Sequence, residues 1–135
     1  DFDAYKLLIN MGLKRSKTME DYLREVNTAF DENFYYDQQD QYEAELANTY
    51  NDYAKRQLKE QWSRWSESFK KARPNLQEEL GKGAERAIQR SQALSDLERM
   101  LADPTVKLDS AVRKPIEGML TVYNQYINAR YPQSL

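Results

Sequence analysis

The chain has 135 residues with 20 basic and 22 acidic side chains, a net charge of -2, and neither cysteine nor histidine. That length suits one domain, whose core can bury roughly two-thirds of the unfolded chain's surface, and the near balance of charge removes any global pull toward nucleic acid or anionic lipid. The missing thiols and imidazoles exclude disulfides, thiol nucleophiles, imidazole bases and the usual nitrogen and sulfur metal ligands.

Four glycines and four prolines fall mostly between apolar runs of helical period, and strand patterns are missing. The first expected helix covers residues 2–11, with Phe2, Tyr5, Leu8 and Ile9 on one side and Gly12 placed to end it. Thr18 followed by Asp21 is a capping-box variant. Met19, Tyr22, Leu23, Val26 and Phe30 then recur at spacings of three and four, which predicts a second helix over about 19–30. Phe34, Tyr35 and Tyr36 break that periodicity, so the segment 33–36 reads equally as a kink or a continuation. Residues 37–72 contain no glycine and no proline, and apolar positions recur from Tyr42 to Phe69. The expectation is one long central helix, about 54 Å at 1.5 Å per residue.

Pro74 ends that run, and Asn75 with Glu78 suits a short capped turn through Leu80 before Gly81 and Gly83 reverse the chain. Residues 84–102 carry Ala87, Ile88, Ser91, Leu94, Leu97, Met100 and Leu101 on one face, closed by Asp103 and Pro104. A last helix is expected over about 115–131, opened by Pro115 in its first turn, with residues 110–113 as a candidate preceding turn. The resulting class is all-α: an elongated antiparallel helical bundle in a single domain, 1–135, with two shorter helices packed over residues 58–72. The chain starts at Asp1 without an initiator methionine, which fits either a fragment cut from a longer protein or a processed mature form, and we expect the fragment. No apolar run approaches the roughly 20 residues that span a bilayer, so no transmembrane segment is expected and the chain reads as soluble, with no compartment indicated.

The most informative pattern is a charge split. Residues 31–52 hold seven acids and no base, whereas 53–73 hold Lys55, Arg56, Lys59, Arg64, Lys70, Lys71 and Arg73 against Glu60 and Glu67. On one continuous helix this makes a dipolar rod that pairs with copies of itself or with a charged partner; the simpler alternative is two solvated faces. The acidic half also concentrates tyrosines. Tyrosine suits interfaces because its ring prefers burial and its hydroxyl prefers water. Tyr35, Tyr36, Tyr42, Tyr50 and Tyr53, with Asp40 and Glu43, therefore form the candidate partner surface, for a protein partner or a second copy. The basic stretch is the candidate surface for a nucleic-acid module. Against that second reading, Trp62, Trp65 and Phe69 share one stripe and are expected to bury against Leu97, Leu101 or Leu120 as core.

Carboxylate pairs such as Asp37 with Asp40 sit in no recognisable site, and Gly81-Lys82-Gly83 lacks the strand and spacing of a phosphate loop. The inventory argues for a non-enzymatic role with no cofactor and no metal. Long helices free of glycine and proline, stripes rich in tyrosine and tryptophan, and above all residues 62–74 followed by 76–101, resemble in general character helical segments of large bacteriophage virion proteins, tail tape-measure proteins in particular. The resemblance implies a structural role in the virion or its tail, with contacts to other subunits. It departs from the tape-measure pattern in having neither a heptad over its whole length nor a membrane span. A peripheral lipid-binding or adaptor module is a third class, for which residues 2–11 offer the amphipathic stripe.

Overall fold

The computed structural model describes residues 19–108 and 110–127. Those residues are all-α, with no strand among them: α1 Met19–Ala47, α2 Asp52–Lys71, α3 Pro74–Leu80, α4 Ala84–Ala102 and α5 Ser110–Ile127. The expected helix over 2–11 and the cap at Thr18 lie outside the described residues.

The expectation of one helix over 37–72 is wrong. The predicted second helix runs straight through the ambiguous segment 33–36 and on to Ala47, and a break at residues 48–51 separates it from α2. No glycine or proline makes this break. Asn51 takes an extended backbone (φ -78, ψ 124) and its side-chain oxygen accepts from the Ala54 backbone N–H at 3.0 Å, an N-cap that opens α2. Asp52 follows in the first turn and Lys70 and Lys71 occupy the last, so both ends of α2 complement its dipole. On the other side, the Glu45 carbonyl accepts from both the Asn48 backbone N–H at 3.2 Å and the Thr49 hydroxyl at 2.7 Å, which closes the last turn of α1. Replacing the cap, Asn51→Ala, is expected to cost about 1 kcal/mol, read as a lower midpoint in urea denaturation with no change in slope.

After the break the chain folds back, and α1 and α2 form a hairpin. Ring contacts step along it from Phe34 and Tyr35 against Trp65 and Phe69 to Tyr42 stacked on Trp62, with centroids 5.0 Å apart. At 29 residues α1 is the longest described helix, about 44 Å by the standard rise, and each of the other four packs on it. The three-helix packing expected over residues 58–72 is thereby corrected: α4 and α5 lie chiefly on the first half of α1. One core cluster joins Val26, Ala29 and Phe30 of α1 to Ala93, Leu94, Leu97 and Leu101 of α4 and Ile116 of α5. A second joins Phe34 and Tyr35 to Leu58, Trp65 and Phe69 of α2 and Leu76 of α3. Tyr123 of α5 packs against both.

The aromatic stripe of α2 is thus core, as its spacing requires, although its neighbours are Phe34, Tyr35 and Tyr126 instead of Leu97, Leu101 or Leu120. Trp65 and Phe69 are buried and Trp62 is half-buried. Helix α4 matches the expected bounds, but Ile88, expected on its packed face, is 71% exposed. Helix α5 begins a turn before Pro115, which sits inside it. The ring removes one backbone N–H donor from the helix, in its second turn. Arg113 reaches back to the Leu101 carbonyl at 2.8 Å and so closes the end of α4. The expected extension to residue 131 lies outside the described residues.

Candidate interaction surface

The hairpin changes what the charge split means. Acidic α1 and basic α2 lie side by side in one molecule, so the dipolar rod does not exist. At the base of the hairpin Arg73 sits 3.4 Å from the Asp31 carboxylate. Its guanidinium lies 3.7 Å from the Phe69 ring centroid and donates to the Tyr126 hydroxyl at 3.0 Å. Burial pushes the Asp31 carboxyl above its ordinary value, opposed by the Arg73 charge and hydrogen bond. Arg73 is therefore a structural residue of the packed base. Lys70, half-buried, has its ammonium 6.0 Å from the Tyr35 ring centroid.

Of the remaining candidate bases, Lys55 is half-buried and Arg56, Lys59, Arg64 and Lys71 are exposed. Glu60 and Glu67 are exposed among them. The outer face of α2 alternates in sign, which is the pattern of a solvated helix more than of a track for phosphates.

The candidate tyrosines divide. Tyr35 is buried, and Tyr36 and Tyr42 are half-buried. The Tyr36 hydroxyl donates to the Leu80 carbonyl at 3.3 Å, which pins α3 to α1. These three belong to the fold, so the sequence-based ground for placing them in an interface is gone. Tyr50 and Tyr53 are 86% and 65% exposed. They stand at the hairpin tip, where no residue from 47 to 57 belongs to either core cluster.

Asp40 and Glu43 are also exposed. They edge a groove of about 420 Å³ between α1 and α4, lined further by Asp37, Asn33, Tyr36 and Ile88. Asp37 stands above its ordinary value because of partial burial and then the neighbouring Asp40 charge. Asn33 donates to the Tyr123 hydroxyl behind it. Ile88, missed as a surface residue because its spacing continues the packed stripe of α4, adds the one large apolar side chain at the groove. The signal for its exposure was positional, since it lies in the first turns of α4, away from the α4–α1 cluster.

Among the described residues no group of three or more acidic side chains is placed to hold a metal ion, and no helix is long and apolar enough to cross a membrane. No protein-family model matches the chain, and neither the curated proteins nor the solved structures give a significant match.

Proposed function

We propose that this chain is a non-enzymatic, structural or protein-interaction domain whose working surface is the tip and open face of the α1–α2 hairpin. The observation that carries the reading is the exposure of Tyr50 and Tyr53 in a chain whose other hairpin tyrosines are drawn into the fold. Two large amphipathic side chains left in water at a capped, well-defined turn supply contact area at low entropic cost, which is why tyrosine is enriched where proteins meet. If the resemblance to virion helical segments holds, the partner is another structural subunit.

The test replaces Tyr50 and Tyr53, one at a time, by a photo-crosslinking phenylalanine derivative in the native cell extract, with Arg99, whose side chain is 74% exposed, as the control position. Discrete covalent products from positions 50 and 53, well above those from 99, are expected. Equal and featureless yields at all three positions would show that the tip is ordinary surface.

A further inference from the structure

The open side of the hairpin carries opposite charges in parallel. On α2, Lys59 is one turn from Lys55, and Lys70 lies three turns beyond Lys59, so helical period puts the three lysines on one stripe. Lys70 opens into a groove with Tyr36 and Gln39 of α1, with Gln77 and Leu80 of α3 and with Gly81 after it, which fixes the side of the hairpin that this stripe faces and places α3 over its lower part, so that only the tip half is open. On α1, Gln39 and Glu43 are one turn apart and share that side, with Asp40 further round toward α4. The other side of the hairpin is different: there Glu45 and Thr49 meet Gln57, Gln61 and Arg64.

Toward the tip, one face therefore bears Glu43 on α1 and Lys55 and Lys59 on α2. Tyr42, Leu46 and Trp62 remain half-buried at the seam between the two helices. Glu43 and Lys59 are exposed and join none of the ion pairs among the described residues. The pairing of Tyr42 with Trp62 also sets their heights. Glu43 and Lys59 stand at nearly the same level along the hairpin, on opposite helices.

We propose that two copies of this chain pack face to face through this surface, related by a two-fold axis parallel to the hairpin. Such an axis keeps heights and exchanges helices, so α1 of each copy lies over α2 of the other. Glu43 of one copy meets Lys59 of the other, and the contact repeats in the opposite sense. Beyond the part that α3 covers, the tip halves of the two hairpins then pack as four helices and cover the half-buried seam of Tyr42, Leu46 and Trp62. The partner is a second copy because the face is self-complementary. A partner of a single charge would be repelled by one of the two stripes, whereas the exchanged copy opposes both. This rests on the interaction reading above and names its partner.

Sedimentation of the full chain by analytical ultracentrifugation tests it. The wild type is expected to dimerise at low salt and to weaken as salt screens the charges over roughly 8 Å at physiological strength. Glu43→Lys and Lys59→Glu, each alone, place like charges at both contacts and are expected to raise the dissociation constant about tenfold or more. Both residues are exposed, so the melting temperature of each variant should stay near that of the wild type. Mixing the two variants in equal amounts restores opposite charges at both contacts and should restore the dimer, as should the double variant. A wild type that stays monomeric at every concentration, or a dimer indifferent to the substitutions, or a mixture that fails to recover, would each overturn the proposal. Cross-links from Tyr50 or Tyr53 to a different protein, with a strictly monomeric chain, overturn the dimer and leave the interaction reading standing. Absence of any cross-linked product together with a monomer overturns both.

Discussion

Trp65→Ala is expected to destabilise the domain by about 3 to 5 kcal/mol, the range for emptying a large, buried aromatic site. Against a total stability of roughly 5 to 15 kcal/mol for a domain, that loss comes close to unfolding it. The indole is 2% exposed and its ring centroid lies 4.8 Å from Phe69, 5.2 Å from Trp62, 5.9 Å from Phe34 and 6.0 Å from Tyr35. Four rings held on two helices cannot close over the space it leaves, so the cavity term adds to the lost transfer energy. Equilibrium urea denaturation measures the loss, with Tyr53→Ala as the comparison. Tyr53 sits at the tip, 65% exposed, and its removal should change stability by no more than about 0.5 kcal/mol. A small effect at Trp65 would mean that the aromatic stripe faces solvent, and would return weight to a stacking surface for nucleic acid.

What the sequence made legible was the helical period, and what it hid was a turn built without glycine or proline. The stripe of Leu58, Trp62, Trp65 and Phe69 is core because steps of three and four leave it no other place, and α4 ends where Asp103 and Pro104 require. The break at 48–51 left a weaker trace. Asn48, Thr49 and Asn51 are poor helix residues whose side chains compete for backbone groups, and Asn51 before Asp52 is an N-cap followed by an acid. Reading Tyr50 and Tyr53 as members of a continuous stripe concealed this. They fit the period closely enough to bridge two helices whose buried faces are in fact out of phase.

The break at residues 48–51 also reshapes the candidate surface. On a rod, the seven acids and the seven bases face outward at opposite ends; in a hairpin they are neighbours, and Asp31 with Arg73 becomes an internal contact. Tyr35 and Tyr42 moved from interface candidates to packing residues for the same reason, since their rings pack on the chain's own α2, and Tyr36 is held by the Leu80 carbonyl of α3. Tyr50 and Tyr53 remained outside because they mark the turn itself. Pairing of residues far apart in sequence is a tertiary fact, and period and composition alone do not specify it.

The Arg73–Asp31 contact yields the second large effect. Arg73→Met is expected to cost about 3 kcal/mol at neutral pH, the lower edge of the range for breaking a buried pair, because the side chains of Arg73 and Asp31 keep 20% and 14% exposure. The methionine preserves much of the apolar stem over Phe69, so the main loss is electrostatic: Asp31 stays sheltered from water with its cation gone. The pH dependence separates this from a packing defect. Burial already raises the folded-state value of Asp31 above 3.8, with Arg73 pulling it down; without Arg73 it must rise further. A carboxyl with a raised folded value binds its proton more tightly in the native state than in the unfolded one. Its contribution to stability is therefore largest below the unfolded value and is lost as pH rises through the folded value. The difference between variant and wild type should consequently be greatest at pH 7 and shrink as pH falls toward 4, where Asp31 is neutralised in the variant. Asp31→Leu together with Arg73→Met removes both charges and should recover much of the loss. Urea midpoints at pH 4 and pH 7 decide the matter, and an equal cost for Arg73→Met at both values would mean that the residue acts through its stacking on Phe69 and its bond to Tyr126, with the ion pair contributing nothing.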